Sequence, residues 1–477
     1  MNDLVRMTAR EAVACLAARQ VSPLEMIDAA VERISEVDGA VNALPTLAVE
    51  RAREHAARLM ASGAPDDAPP GYLHGLPFAV KDLKDVAGVR STKGSPIYAE
   101  HVPERSDYLV ENIEAQGGVV LAKSNTPEFG AGANTFNEVF GKTRNPWDTR
   151  MTCGGSSGGA AVSLATGQVW LATGSDLGGS LRIPASFCSV VGLRPSPGRV
   201  PHGPKELPFA GLSVEGPMGR TVGDVAMFLD TQASGFQAVD PISLPRPERP
   251  FVDAVDAPRA PKRVAYSPDL GIAPVDAEVR EICERAVRLF EGAGASVDED
   301  APDLHDAEPI FQALRAAQFA ALYGKHMETN RHLLKPEVIW NVEAGLALSS
   351  EDVNRAEAAR GALYYRTAAF FEQYDILVSP TVLVPPFDVD QRYVEEAGGV
   401  RFETYVSWLV MSFALTLTSC PSISVPCGFT SSGLPVGLQL MAPRADEAAL
   451  LSAAALFEEA CELAGNVPID PVVRHSA

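Results

Sequence analysis

The chain has 477 residues, enough for about three domains of ~150 residues or for one large α/β domain. A hydrophobic content of 46% supplies a sizeable core and excludes a disordered chain. Lys and Arg total 40 against 61 Asp and Glu, and the resulting charge of −21 disfavours nucleic acid and anionic membranes as partners and favours a small-molecule substrate. The seven cysteines are scattered and never in CxxC spacing, which suggests neither a disulfide framework nor a zinc ribbon and points to a reducing compartment. The opening "MNDLVRMTAREAV" puts charges where a signal peptide needs an apolar run, so a cytoplasmic location is expected.

Thr8 and Ser22 each stand three residues before a glutamate, the spacing of a capping box, and Pro23 suits a first helical turn. Ile27, Ala30, Val31 and Ile34 follow at i, i+3, i+4 and i+7, which predicts an amphipathic helix. From Leu76 the pattern changes to short apolar runs: "LPFAV" before Lys81, "VVLA" before Lys123, "VWLAT" before Gly174 and "SVVGL" before Arg194. Runs of this length predict strands buried on both faces of an α/β sheet, with functional loops after them. Residues 240–261, dense in proline and charge, read as a surface connection. "KRVAYSPDL" and the helical "DAEVREICERAVRLF" come next, then a helix-rich stretch from Glu308 to Glu372. "YDILVSP", "SISVPCGF" and "GLPVGLQLMAP" restore strand character near the end. The uncharged "TYVSWLVMSFALTLTSC" is shorter than the ~20 residues of a spanning helix and stops at Pro421, so it predicts a buried helix.

Two glycine-flanked serines carry the chemistry. Ser180 follows "VWLATGSDLGG", where glycines allow a tight turn, and the N–H groups of Leu177, Gly178, Gly179 and Ser180 are candidates for an oxyanion hole. Each well-placed donor of that kind is worth ~3–4 kcal/mol in the transition state. A plain glycine turn is the alternative. Ser156 lies in "GGSSG", which satisfies G-x-S-x-G, the nucleophile elbow of α/β-hydrolases. The context argues against an elbow: the polar "NPWDTRMTC" precedes it instead of a buried strand. A partner histidine is also missing, since His305, His326 and His332 sit in charged or polar surroundings and His475 near the C-terminus. Lysine can replace histidine as a base if burial lowers its pKa, and Lys81, closing "LPFAV", is the candidate; taken alone it reads first as a surface lysine on a strand edge, since lysines are rarely buried.

"GLPFAVKDLKDVAG", "GGSSGGAAVSLATG", "GSDLGGSLRIPASFCSVVGLRPSPGRV" and "GPMGRTVGDVA" together resemble the amidase signature family in order and spacing, with Ser156 75 positions after Lys81 and Ser180 24 after Ser156. The resemblance covers nearly the whole chain, most weakly between about residues 235 and 400. It implies a single large α/β/α sandwich with a central mixed β-sheet over residues 1–477. Within it, 65–230 would be the signature core, 240–261 the surface connection and 262–400 a variable helix-rich region forming part of the substrate pocket.

The same resemblance implies that Ser180 is the nucleophile, Ser156 a relay serine with a cis peptide bond, and Lys81 the base, with Gly130 near the acyl site. Asp176 and Arg182 read as an ion pair holding the nucleophile loop, with surface placement as the alternative, and Ser157 and Thr152 as hydrogen-bond partners around the relay. No metal or cofactor is needed. The implied substrates are small-molecule amides, esters or carbamates, acted on by a monomer or homodimer, as in aryl acylamidase-like and urethanase-like members. The branch that supplies glutamine-derived ammonia for transfer RNA amidation has a glutamine where this chain has Ile183, and an "SRYG"-type segment where it has "PHGPKELPFAG". That loop, Pro201–Gly211, is a candidate lid over the nucleophile, with an ordinary surface loop as the alternative. Phe209, Phe136, Trp340, Phe402, Tyr405 and Trp408 are candidate aromatic walls, several of them expected in the core instead.

Overall fold

Capping, periodic burial and turn chemistry place most elements where local rules put them. The computed structural model describes residues 1–65 and 67–474, so His475 lies outside the described residues. Thr8 and Ser22 both form reciprocal capping boxes, with Glu11 and Glu25. The second opens α1 (Pro23–Val41), whose Ile27, Ala30 and Ile34 are buried.

The apolar runs become strands of one sheet: β1 (Thr46–Leu47), β2 (Pro77–Lys81), β3 (Val119–Ser124), β4 (Leu171–Asp176), β5 (Val191–Arg194), β6 (Val214–Gly219), β7 (Arg263–Tyr266), β8 (Ser296–Glu299), β9 (Ile376–Pro380), β10 (Ser422–Phe429) and β11 (Pro435–Met441). Their spatial order is β1-β3-β2-β4-β6-β5-β10-β11-β9-β7-β8. The pairs β2/β3, β2/β4, β9/β7 and β7/β8 are parallel. The pairs β1/β3, β4/β6, β5/β6, β5/β10, β10/β11 and β9/β11 are antiparallel, which makes the sheet mixed. β2, β3, β4 and β5 are buried along their whole length, as expected of strands covered on both faces by helices.

β6, "VEGPMG", lies mid-sheet although its glycine and proline argue against a central strand. Gly216 resolves the conflict, since a Cβ there would stand 2.7 Å from the Leu181 side chain and collide with the Leu193 carbonyl. Residues 262–400 supply β7, β8 and β9 to the sheet as well as five α-helices, among them α4 (Ala307–Thr329), α5 (Pro336–Leu346) and α6 (Ser350–Phe370). Before them in the chain, α2 (Gly158–Ala165) and α3 (Arg182–Cys188) are fully buried. The apolar segment 404–420 holds a 3-10 turn and α7 (Val410–Leu417), every residue of which is buried. Among the described residues, no helix is long and apolar enough to cross a membrane.

Candidate active site

Lys81 is the last residue of β2 and is 0% exposed. Its Nζ lies 2.7 Å from Ser156 Oγ and 2.9 Å from both Ser157 Oγ and Ser175 Oγ. The first two serines sit on the loop before α2, where the Gly155–Ser156 peptide bond is cis; the third is on β4. Burial pulls the Lys81 ammonium down to about 7, against the opposing pull of the negative charges on Glu215 and Asp176.

No carboxylate contacts the amine, so its charged form is uncompensated, while the neutral form, with two N–H donors and one lone pair, can be held by the same hydroxyls. Ser157 Oγ already lies 3.4 Å from the Ser175 carbonyl, a bond that commits its proton and leaves it accepting from Lys81. Ser156 Oγ accepts from Lys81 Nζ in this arrangement, and its own proton has no acceptor among the described residues.

Ser180 stands on the turn between β4 and α3, partly exposed, and with Ser156 and Ser175 lines a cavity of about 300 Å³. The turn is built around Asp176. Its carboxylate accepts the N–H of Gly179 at 2.8 Å and of Leu181 at 3.2 Å, and pairs with Arg182 at 3.1 Å and Arg194 at 3.3 Å. Burial by itself would raise this carboxyl; the two guanidiniums hold it well below the usual carboxylate range. Arg182 also reaches Gln439 Oε1 and Thr416 Oγ1, which fixes the turn to β11 and α7. The Ser180 carbonyl accepts the Ser157 N–H at 3.2 Å, tying the two serine loops together.

The expected oxyanion donors divide. Leu177 and Gly178 line the cavity, and their N–H groups and that of Ser180 have no protein acceptor among the described residues. Gly179 departs from expectation: its N–H is taken by Asp176 and it does not line the cavity. Its part is conformational, because it holds φ +120° and a Cβ there would lie 2.5 Å from Ser412 Cβ. Gly130 faces Ser156 across the cavity, with a Cβ position 3.5 Å from Ser156 Oγ. Thr152 stands off the lysine cluster, accepting from Gly154 N–H and donating to Asn134 Oδ1.

The walls are less legible in the sequence. Of the six aromatic candidates only Tyr405 lines the cavity. Phe209 is 78% exposed, Trp340 packs against Tyr405 from outside, Trp408 is in the core, and Phe136 and Phe402 lie elsewhere. The rings that join Tyr405 there include Phe129, Phe311, Phe319 and Tyr323. Three of them share α4 with Arg315 at positions 311, 315, 319 and 323, a strict i+4 stripe that was available as a signal. Ser175, Lys84 and Glu215 also line the site without having been singled out. From Pro201–Gly211, residues His202, Lys205, Glu206, Leu207 and Ala210 form one side of the cavity, and Glu206 pairs with Lys325 of α4 at 2.8 Å.

The Amidase family profile matches residues 25–451. An acylamidase from Rhodococcus erythropolis is 35% identical over 475 residues, spanning 99% of each chain. A glutamyl-tRNA(Gln) amidotransferase subunit from Thermus thermophilus is 36% identical over 477 residues, covering 95% of this chain and 97% of that one. The crystal structure of a bacterial aryl acylamidase of the amidase signature family superimposes with a TM-score of 0.87 at 26% identity, over 97% of this chain and 99% of that one.

Proposed function

The chain belongs to the amidase signature family and hydrolyses amide carbon–nitrogen bonds, and from that premise we propose that it does so through an acyl-enzyme on Ser180, with Ser156 as proton relay and Lys81 as base. Neutral Lys81 takes the proton of Ser156 as Ser156 takes that of Ser180, whose Oγ attacks the substrate carbonyl carbon. The oxyanion is met by the N–H groups of Leu177, Gly178 and Ser180. As the C–N bond breaks, the proton passes back through Ser156 to the leaving amine; water then attacks the acyl-enzyme with the relay again acting as base. The observation that carries this reading is the Lys81 amine, fully buried, drawn down to about 7, and 2.7 Å from a serine that opens on the same cavity as Ser180.

The substrates proposed are small aryl or alkyl amides, handled without cofactor by a stand-alone cytoplasmic enzyme, monomeric or homodimeric. A cavity of about 300 Å³ with rings from Phe129, Phe311, Phe319 and Tyr323 favours compact aromatic or aliphatic groups. Esters or carbamates would be attacked by the same serine and differ in the leaving group. Against an amidotransferase role stands Ile183, an apolar residue buried beside Gly154 and Gly179 where the resemblance places a glutamine in that branch.

The test compares wild type with Ser180→Ala and Lys81→Ala on matched p-nitroanilide, p-nitrophenyl ester and aryl carbamate substrates, with intact-mass detection of the acyl adduct. Turnover and an adduct in the wild type, both absent in Ser180→Ala, are expected. Equal turnover by wild type and Ser180→Ala would remove Ser180 from the nucleophile position.

A further inference from the structure

Charged groups that line the catalytic cavity are paired, with one exception. Lys84 contacts Asp107 at 3.2 Å and Glu215 at 3.1 Å; Lys205 contacts Asp240 at 2.9 Å; Glu206 contacts Lys325 at 2.8 Å. Arg315 lines the same cavity, is 4% exposed, and has no carboxylate partner among the described residues. Its Nη1 donates to Tyr405 Oη at 3.1 Å and its Nη2 to Gln312 Oε1 at 2.9 Å, both neutral acceptors, while Nε has none. The guanidinium lies 5.4–5.9 Å from the ring centres of Phe311, Phe319, Trp340 and Tyr405, so its remaining surroundings are aromatic.

A guanidinium stays protonated even when burial disfavours the charge, as it does here. A desolvated cation with spare donors costs stability unless something anionic completes it. Cation–π contact with four rings offsets part of that cost but satisfies no N–H. The other component of the site that enters from solvent is the substrate. We infer that Arg315 recognises a carboxylate on the substrate: the amide this enzyme prefers carries an anionic group on its acyl or its amine side, seated on the Arg315 guanidinium while Ser180 attacks the carbonyl.

The net charge of −21 makes this a local preference set against the field of the whole chain, and the aromatic stripe of α4 supplies the dry surroundings in which a charge-assisted hydrogen bond is strongest. The inference rests on the amidase reading and deepens it.

The experiment measures kcat/KM for two neutral/anionic pairs. Valeryl against glutaryl p-nitroanilide places the charge on the acyl side; valeryl anilide against valeryl 4-aminobenzoate places it on the amine side. The wild type is expected to favour the anionic member of one pair by about 10–100-fold, the range for a hydrogen bond to a charged group, and the responding pair identifies the side. Arg315→Met should bring that ratio to about 1, and Arg315→Lys should leave an intermediate ratio, since a point charge replaces a two-pronged donor. The ratio within one protein preparation is the readout, so a general loss of active protein does not imitate the effect. Turnover of the neutral substrates with no anionic preference in either pair overturns the inference and leaves the amidase reading standing. So does a preference that survives Arg315→Met. Silence of the wild type on all four amides overturns the amidase reading, and this one with it.

Discussion

If neutral Lys81 is the base, the acidic limb of the pH profile must report its titration. Displacing an amine from 10.5 to about 7 corresponds to about 5 kcal/mol against the ammonium form, the work of burying it among three hydroxyls without a contacting carboxylate. With that value, the neutral fraction is about one-tenth at pH 6 and about nine-tenths at pH 8, so kcat/KM should rise about tenfold across that interval and then level off. An unshifted lysine would give a rise of about 100-fold over the same interval and no plateau. Glu215 is the largest influence opposing the shift, so Glu215→Gln should move the limb to lower pH. The same shift has a stability sign: the unfolded chain holds a proton between about 7 and 10.5 that the folded chain has released, so stability from this group rises with pH through that window. Lys81→Met should remove that slope in urea titrations. A limb that keeps climbing beyond pH 9, or one that moves to higher pH in Glu215→Gln, would refute the assignment of the base.

Arg182→Met should cost about 3–5 kcal/mol in chemical denaturation, because it leaves the buried Asp176 with Arg194 as its remaining ion-pair partner; a cost below about 1 kcal/mol would show the turn is held otherwise. Gly130→Ala places a methyl 3.2 Å from Leu83 and 3.5 Å from Ser156 Oγ at φ +71°, and should lose about 1–2 kcal/mol of stability together with a fall in kcat/KM on the anilide. Retained activity would mean that the acyl site lies away from Gly130. Lys325→Ala cuts an exposed ion pair and should change stability by less than about 1 kcal/mol. It should also raise turnover of bulky anilides relative to small ones, and an unchanged ratio would reduce Pro201–Gly211 to a fixed wall.

The sequence by itself determined the features whose physics is local or periodic. The capping boxes at Thr8 and Ser22 need only three-residue spacing, and the strands ending at Lys81 and Ser124 need only a short apolar run, so both were legible. Ser156 and Ser180 were legible as motif residues because glycines stand beside them in the chain, and Lys81 because it closes a short apolar run. Tertiary structure decided the rest. β6 hid behind its glycine and proline, since the room that Gly216 provides for Leu181 exists only once α3 is packed on the sheet. Ser175 became the third partner of Lys81 because β2 and β4 lie side by side, and Gly179 lost its place among the candidate oxyanion donors because Asp176 turned back to take its N–H. The cavity wall came from α4, more than a hundred positions beyond Ser180 in the chain, while the conspicuous Phe209 went to solvent. Hydrogen bonds a few residues apart are written in spacing; which distant side chains share a cavity, and which charge there lacks a partner, depends on how the elements pack, and only the folded chain contains that information.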